Sequence, residues 1–447
     1  MAVFYKGRSF VYHSMVITFV MDQYSEMNNG TTMTAVRFAE KLREKGHEVR
    51  VITASDIQED GVYVLPEKHI PVFQSIVDKQ GMRLAQPVDE VIARAIEGSD
   101  VVHMLMPFWV QHAAARIAEE KRVATTAAFH IQPENITYSI HMSKWPGINS
   151  FVYSFLRRKF YDKFSHIHCP SEMMKNLLIK NKYRGEIHAI SNGVCEAFEK
   201  RDVARCEQYK DKFVIMMIGR YSREKRQDLI IKAIGKSKYN DRIQLVLAGK
   251  GPTAKKLKKL SDRYLKNPVD FVFLPQEELI DRINMCDLYV HASDAESEAI
   301  SCIEAFTCGL VPVISDSKIC ATKQFALDER NLFRKGNYKS LREKIEWFIE
   351  HPREKAALSE QYEAYAKQFT LDACVDRLAD VFVTAVQENK ERWQNTDNEQ
   401  AYLQTLSAKQ KRAYEKGKKK YCKQCDKQGK HDYKNAYITT VKNGCLA

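Results

Sequence analysis

The apolar run MVITFV (Met15 to Val20) leads into a polar loop, DQYSEMNNG, then a helix-patterned stretch, TTMTAVRFAEKLREKG, and a second apolar run, HEVRVIT. Val36, Ala39 and Leu42 fall on one face of the helical stretch, and Gly46 marks its end. A strand with apolar side chains pointing both ways is buried on both sides, so this unit calls for a parallel sheet covered by helices. SDVVHML (from Ser99), RVATTAAFH (Arg122 to His130) and SHIHCP (Ser165 to Pro170) continue the alternation. After SNGV (Ser191 to Val194) it restarts with DKFVIMMIGR, REKRQDLIIKAIGKS, RIQLVLAGKGP, VDFVFLP, DLYVHAS and LVPVISD. The pattern predicts two doubly wound α/β domains in tandem. The expected boundaries are an extension over 1–14, domains at 15–195 and 196–370, a C-terminal helix at 371–395 and a basic tail at 396–447.

At 447 residues and 44% hydrophobic side chains, the chain exceeds one ordinary core and is too apolar to be disordered. No run of eighteen apolar residues appears, and MAVFYKGRSFVYHS lacks the apolar centre of a secretory signal, so the expected location is cytoplasmic. The cysteines are irregularly spaced and several sit in apolar stretches (Cys169, Cys286, Cys302, Cys308), as reduced core thiols do. Cys422 and Cys425, with His431 and Cys445 downstream, offer zinc ligands at a spacing that matches no common finger. The net charge of +13 is uneven: residues 396–447 hold twelve Lys/Arg against five Asp/Glu. That concentration suits an anionic surface, a lipid bilayer or a nucleic acid, or is simply a solvated tail.

Parallel sheets bind ligands beyond the carboxyl ends of their strands. There the second domain places GRYSREKRQ, whose Arg220 and Lys225 precede a helix and suit a diphosphate, or are ordinary exposed charge. AGKGP offers a glycine turn, and in the first domain Gly30 opens a helix where backbone amides can approach a phosphate. The stretch ESEAISCIE carries Glu296, Glu298 and Glu304. No Asp-x-Asp run follows a strand, so nothing here requires a metal.

Taken in order, GR, EK, AGKGP, two glutamates eight positions apart and EAFTCGLVPVISD resemble the second domain of the retaining glycosyltransferase family four. The resemblance spans residues 15–395 and implies the GT-B fold, two Rossmann-like domains facing a cleft that holds a nucleotide sugar. It implies that Arg220 and Lys225 hold the donor diphosphate, approached by Gly30 from the first domain. Glu304 would take the ribose hydroxyls and Glu296 a sugar hydroxyl. The amides at Ala299, Ile300 and Ser301 would lie against sugar and phosphate, and His130 would face the reacting carbon. The family's EGFG becomes Glu296-Ser297-Glu298-Ala299, so side chains crowd the sugar loop, and Glu298 is itself a candidate for the sugar contact.

Residues 129–164 set Trp145, Phe151 and Phe155 beside Arg157, Arg158 and Lys159, a composition suited to an anionic membrane surface or to a packed helix. With HIQPEN, the region looks similar to bacterial diacylglycerol glucosyltransferases. The expectation is a metal-independent, cofactor-free hexosyltransferase, UDP-linked donor and membrane-lipid acceptor, attached peripherally at the cytoplasmic face. The alternatives are a soluble sugar or polysaccharide acceptor, a catalytically dead partner of an active transferase, or nucleic-acid binding through the tail.

Overall fold

In the computed structural model, residues 2–5, 8–11, 14–24, 30–69, 83–134, 137, 145 and 147–427 are described. His431 and Cys445, and the side chains of Cys422 and Cys425, lie outside them. The N-terminal extension contains a hairpin of β1 (Ala2–Tyr5) and β2 (Arg8–Val11).

The first sheet is fully parallel. Its strands are β3 (Val16–Val20), β4 (Glu48–Thr53), β5 (Val62–Val64), β6 (Val101–Met104), β7 (Ala124–Ala128), β8 (His166–Cys169) and β9 (Glu186–Ala189), ordered β5-β4-β3-β6-β7-β8-β9. Strand β3 shows why the run MVITFV forms a central strand: Ile17 and Phe19 enter the core on one face, Val20 the core on the other. The second sheet is also parallel and uses β10 (Phe213–Ile218), β11 (Ile243–Ala248), β12 (Asp270–Val272), β13 (Leu288–His291), β14 (Pro312–Ser315) and β15 (Leu332–Phe333). Its order is β12-β11-β10-β13-β14-β15. In each sheet the order reverses at the first strand, β3 or β10, which opens a crevice at its carboxyl end.

The chain crosses between the sheets twice, and the two crossings touch. Val194 N–H donates to the Phe369 carbonyl at 2.8 Å, and Leu371 N–H to Val194 at 2.9 Å. Gly193, at φ +72°, leaves no room for a side chain, since a Cβ there would stand 2.8 Å from Leu371 Cα. The helix that follows, Leu371–Gln404, runs past the expected end at 395 and returns to the first domain. Its Leu371, Cys374, Val375, Leu378 and Phe382 complete the core over Ile17 and Phe19. A basic helix, Ala408–Lys427, then folds back, and Tyr414 Oη donates to Glu399 at 3.1 Å. Cys169, Cys286, Cys302 and Cys308 are buried free thiols.

Candidate active site

Strand β10 is followed by Gly219 and β11 by Gly249, both at φ +151°. A Cβ on Gly249 would lie 2.1 Å from the Gly219 carbonyl oxygen, and one on Gly251 would lie 2.3 Å from that of Tyr221. AGKGP is thus more than a turn: its glycines let the two loops at the carboxyl edge pack backbone on backbone. Arg220 is exposed at the lip, and its carbonyl accepts from Gln227 Nε2 at 2.9 Å. The chain then makes a short turn (Arg223–Lys225) and enters the helix Gln227–Gly235 through Arg226 at φ +56°. Arg226 bonds Asp228 at 3.0 Å and Asp294 at 3.2 Å, pinning this loop to the one after β13.

Lys225 and Glu296 form a partly buried ion pair, with His291 Nε2 3.6 Å from the same carboxylate. Burial by itself would raise Glu296, but the charge of Lys225 and the bond to His291 outweigh it and hold the acid at about 2. His291 is placed by Tyr289 Oη at 3.2 Å and Ser293 Oγ at 2.9 Å. The Glu296 backbone is fixed as well: its N–H donates to Ile319 and its carbonyl accepts from Ala321.

The helix Ile300–Thr307 starts at Ala299, whose φ of +69° and ψ of 67° are left-handed. Ala299 stands at the last glycine of the family's EGFG run, and the positive φ is the reason a glycine suits it. Ser301 Oγ is tied to Tyr289 Oη at 3.1 Å and to the Ile218 carbonyl at 3.3 Å. One turn on, Glu304 is half-buried, and its carboxylate has no hydrogen-bond partner among the described residues. Burial pushes it up to about 7, opposed by the positive charge of Arg37. Arg37 belongs to the first-domain helix Gly30–Glu44 and reaches Gln276 of the second domain at 3.3 Å. Gly30 is the first residue of that helix; residues 25–29 before it lie outside the description.

Glu298 does not enter the cleft. It is buried and points at the first crossing segment, where Ser191 Oγ, Asn192 N–H (2.9 Å) and Asn192 Nδ2 all donate to it. Burial pushes it up to about 7 against these three donors. This removes it as a sugar-contacting acid. The neighbouring Ser297 carbonyl accepts from Ser171 Oγ of the first domain at 2.7 Å, and Gln132 Nε2 donates to Ile319 at 2.9 Å.

On the first-domain side His130 follows β7, edge-on to His168 at 5.4 Å. Its buried Nε2 has no hydrogen-bond partner among the described residues, and burial followed by the repulsion of His168 holds the ring at about 3, hence neutral. Asp22, just past β3, accepts from Ala85 N–H at 2.9 Å and Gln111 Nε2 at 2.8 Å, and burial raises it to about 6. Neither Asp22 nor Arg37 was legible in the sequence: both sit among ordinary polar residues, and only the fold buries Asp22 just past β3 and sets Arg37 against the second domain.

The aromatic and basic helix, Ile148–Lys159, buries Tyr153 and leaves Phe151 64% and Phe155 51% exposed, stacked at 6.4 Å; Trp145 is 63% exposed. Arg158 and Lys159 are exposed beside them. Arg157 departs from the expectation: it turns back onto the protein, donating to the Lys182 carbonyl at 2.9 Å. The register of the helix requires this, because Arg157 lies four residues after Tyr153 on the packed face.

Two parallel Rossmann-like domains joined by a paired crossing, with the ligand crevices of both sheets in one cleft, define a GT-B glycosyltransferase. Residues 28–198 match the profile described as Glycosyltransferase Family 4 and residues 199–369 that of Glycosyl transferases group 1, and the chain belongs to glycosyltransferase family four. Alpha-monoglucosyldiacylglycerol synthase of Streptococcus pneumoniae is 23% identical over 67% of this chain and 71% of its own. The catalytic domain of cholesterol-alpha-glucosyltransferase from Helicobacter pylori is 43% identical over 35% of this chain and 99% of its own, with a TM-score of 0.33. Anabaena HepE, solved in complex with UDP and glucose, is 18% identical over 83% of this chain and 100% of its own, with a TM-score of 0.62.

Proposed function

We propose that the protein transfers a hexose, with retention, from a UDP-linked donor to a hydroxyl of a membrane lipid. The observation that supports this most directly is the convergence of Lys225, Glu296 and the unpartnered Glu304 at the carboxyl edge of the second sheet, with neutral His130 across the cleft. Glu304 accepts the ribose hydroxyls, and two such bonds discriminate against donors that lack them. The diphosphate draws Lys225 from Glu296 and adds Arg220, so negative charge developing on the leaving group meets cations already in place. Glu296, freed of its cation, accepts a hydroxyl of the sugar. The amides at the start of the helix Ile300–Thr307 and at Gly30 approach the phosphates. Retention follows from attack on the face the diphosphate leaves, with its oxygen taking the acceptor proton. None of these steps needs a metal or cofactor.

For the acceptor, the supporting feature is the exposed Trp145, Phe151 and Phe155 beside Arg158 and Lys159. Apolar rings and cations on one surface suit the headgroup boundary of an anionic bilayer. No helix among the described residues is long and apolar enough to cross a membrane, so attachment is peripheral in this reading.

The test is transfer by the purified full-length protein from UDP-glucose, UDP-galactose and GDP-mannose to diacylglycerol, ceramide and a sterol in anionic vesicles. A soluble oligosaccharide serves as the competing acceptor. Glycolipid formed from one UDP-sugar is expected. Transfer only to the oligosaccharide would sink the lipid acceptor, and no turnover of any donor would sink the enzyme reading. Lys225→Ala and Glu304→Ala are each expected to lose most donor affinity; unchanged binding in both would overturn the site.

A further inference from the structure

A cluster of histidines and carboxylates lies at the other end of the first sheet, away from the cleft. His166 opens β8, and Glu186 and His188 stand two apart on the edge strand β9, with His166 paired opposite Glu186. All three therefore point to one face of the sheet, the face over which the helix Leu371–Gln404 packs. Ligand atoms of His166, Glu186 and His188 all lie within 4.8 Å of one another. His166 Nδ1 and His188 Nε2 are 3.1 Å apart, while His166 Nε2 is 3.0 Å from Glu388 Oε2 on that helix.

We propose that His166 Nδ1, His188 Nε2 and a Glu186 oxygen bind a divalent transition metal of the zinc type, with Glu388 as the carboxylate that orients His166. Two nitrogens on one tetrahedral zinc, each at about 2.0–2.1 Å, stand roughly 3.3 Å apart, close to the separation already present. The Glu388 contact decides the tautomer: a carboxylate accepts, so His166 carries its proton on Nε2 and turns the Nδ1 lone pair toward His188. That carboxylate, histidine, metal arrangement is the usual outer support of a metal-bound imidazole. Metal replaces the single proton between the two facing nitrogens, which moves to His188 Nδ1.

A surface cleft lined by Glu186, His188, Arg377, Asp380 and Thr384 gives the ion a way in. Such a site ties the edge of the first sheet to the helix that begins at the domain crossing.

The test uses chelator-treated full-length protein carrying Cys422→Ser and Cys425→Ser, titrated with zinc chloride by calorimetry and with cobalt(II) by visible absorption. One equivalent bound, a raised Tm and a tetrahedral cobalt spectrum are expected. Glu388→Gln is expected to weaken binding about 10- to 100-fold. His188→Ala and, at an exposed position that cannot disturb folding, Glu186→Ala are expected to abolish the cobalt spectrum. No stoichiometric binding, or binding unchanged in both His188→Ala and Glu186→Ala, would overturn the proposal.

Discussion

Glu298 and Ala299 carry opposite lessons at the scale of single residues. Glu298 accepts from three donors of the buried residues Ser191 and Asn192, so its loss leaves those donors short of a partner. Glu298→Ala is expected to cost about 3 kcal/mol in urea unfolding, from an unsatisfied-group penalty of roughly 1–3 kcal/mol each, partly relieved by relaxation. Glu298→Gln, which keeps an acceptor, is expected to recover part of it. Ala299 tolerates a left-handed backbone that costs a side chain about 1 kcal/mol, a strain held by the loop around it. Glu304 sets a pH dependence. Burial holds it near 7, and hydroxyl donors favour its charged form, so KM for the donor is expected to fall as pH rises through 7. In Glu304→Gln that step is expected to vanish; a profile identical to the wild type would place the titrating group elsewhere.

Among the elements, the helix Leu371–Gln404 has the widest consequences. Its amphipathic pattern announces a helix, but not that it packs on the sheet begun some 350 residues earlier. Phe382 is fully buried, 6.3 Å from Phe19 and 5.2 Å from His103. Phe382→Ala is expected to destabilise the first domain by about 3–5 kcal/mol, read as a shifted unfolding midpoint of that domain. The helix Ile148–Lys159 was ambiguous from composition, because membrane contact and core packing both use aromatic residues. Its structure divides them: Tyr153 is buried, and Phe151 and Phe155 are exposed one turn apart.

For the whole molecule, the proposed membrane attachment rests on the exposed rings, Arg158, Lys159 and the basic helix Ala408–Lys427. The double change Phe151→Ser, Phe155→Ser is expected to lower affinity for anionic vesicles about 100-fold, from the loss of roughly 1.5 kcal/mol of apolar burial per ring. Raising salt is expected to weaken the wild-type interaction further by screening. Equal flotation of wild type and variant would show that these rings do not bind the bilayer. The fold and the order of the cleft loops were readable before any coordinates, since buried parallel strands must be apolar runs and their loops must hold the ligand groups.

The amino-acid order alone determined that this chain alternates strand and helix twice over, because hydrophobic period and local backbone demands are properties of adjacent residues. It did not determine that Glu298 faces the crossing segment, that Arg37 stands across from Glu304, that Arg157 turns inward, or that His166, Glu186, His188 and Glu388 meet. Those depend on which surfaces are brought together over up to hundreds of positions, and burial, charge and hydrogen-bond partners exist only once that packing is complete.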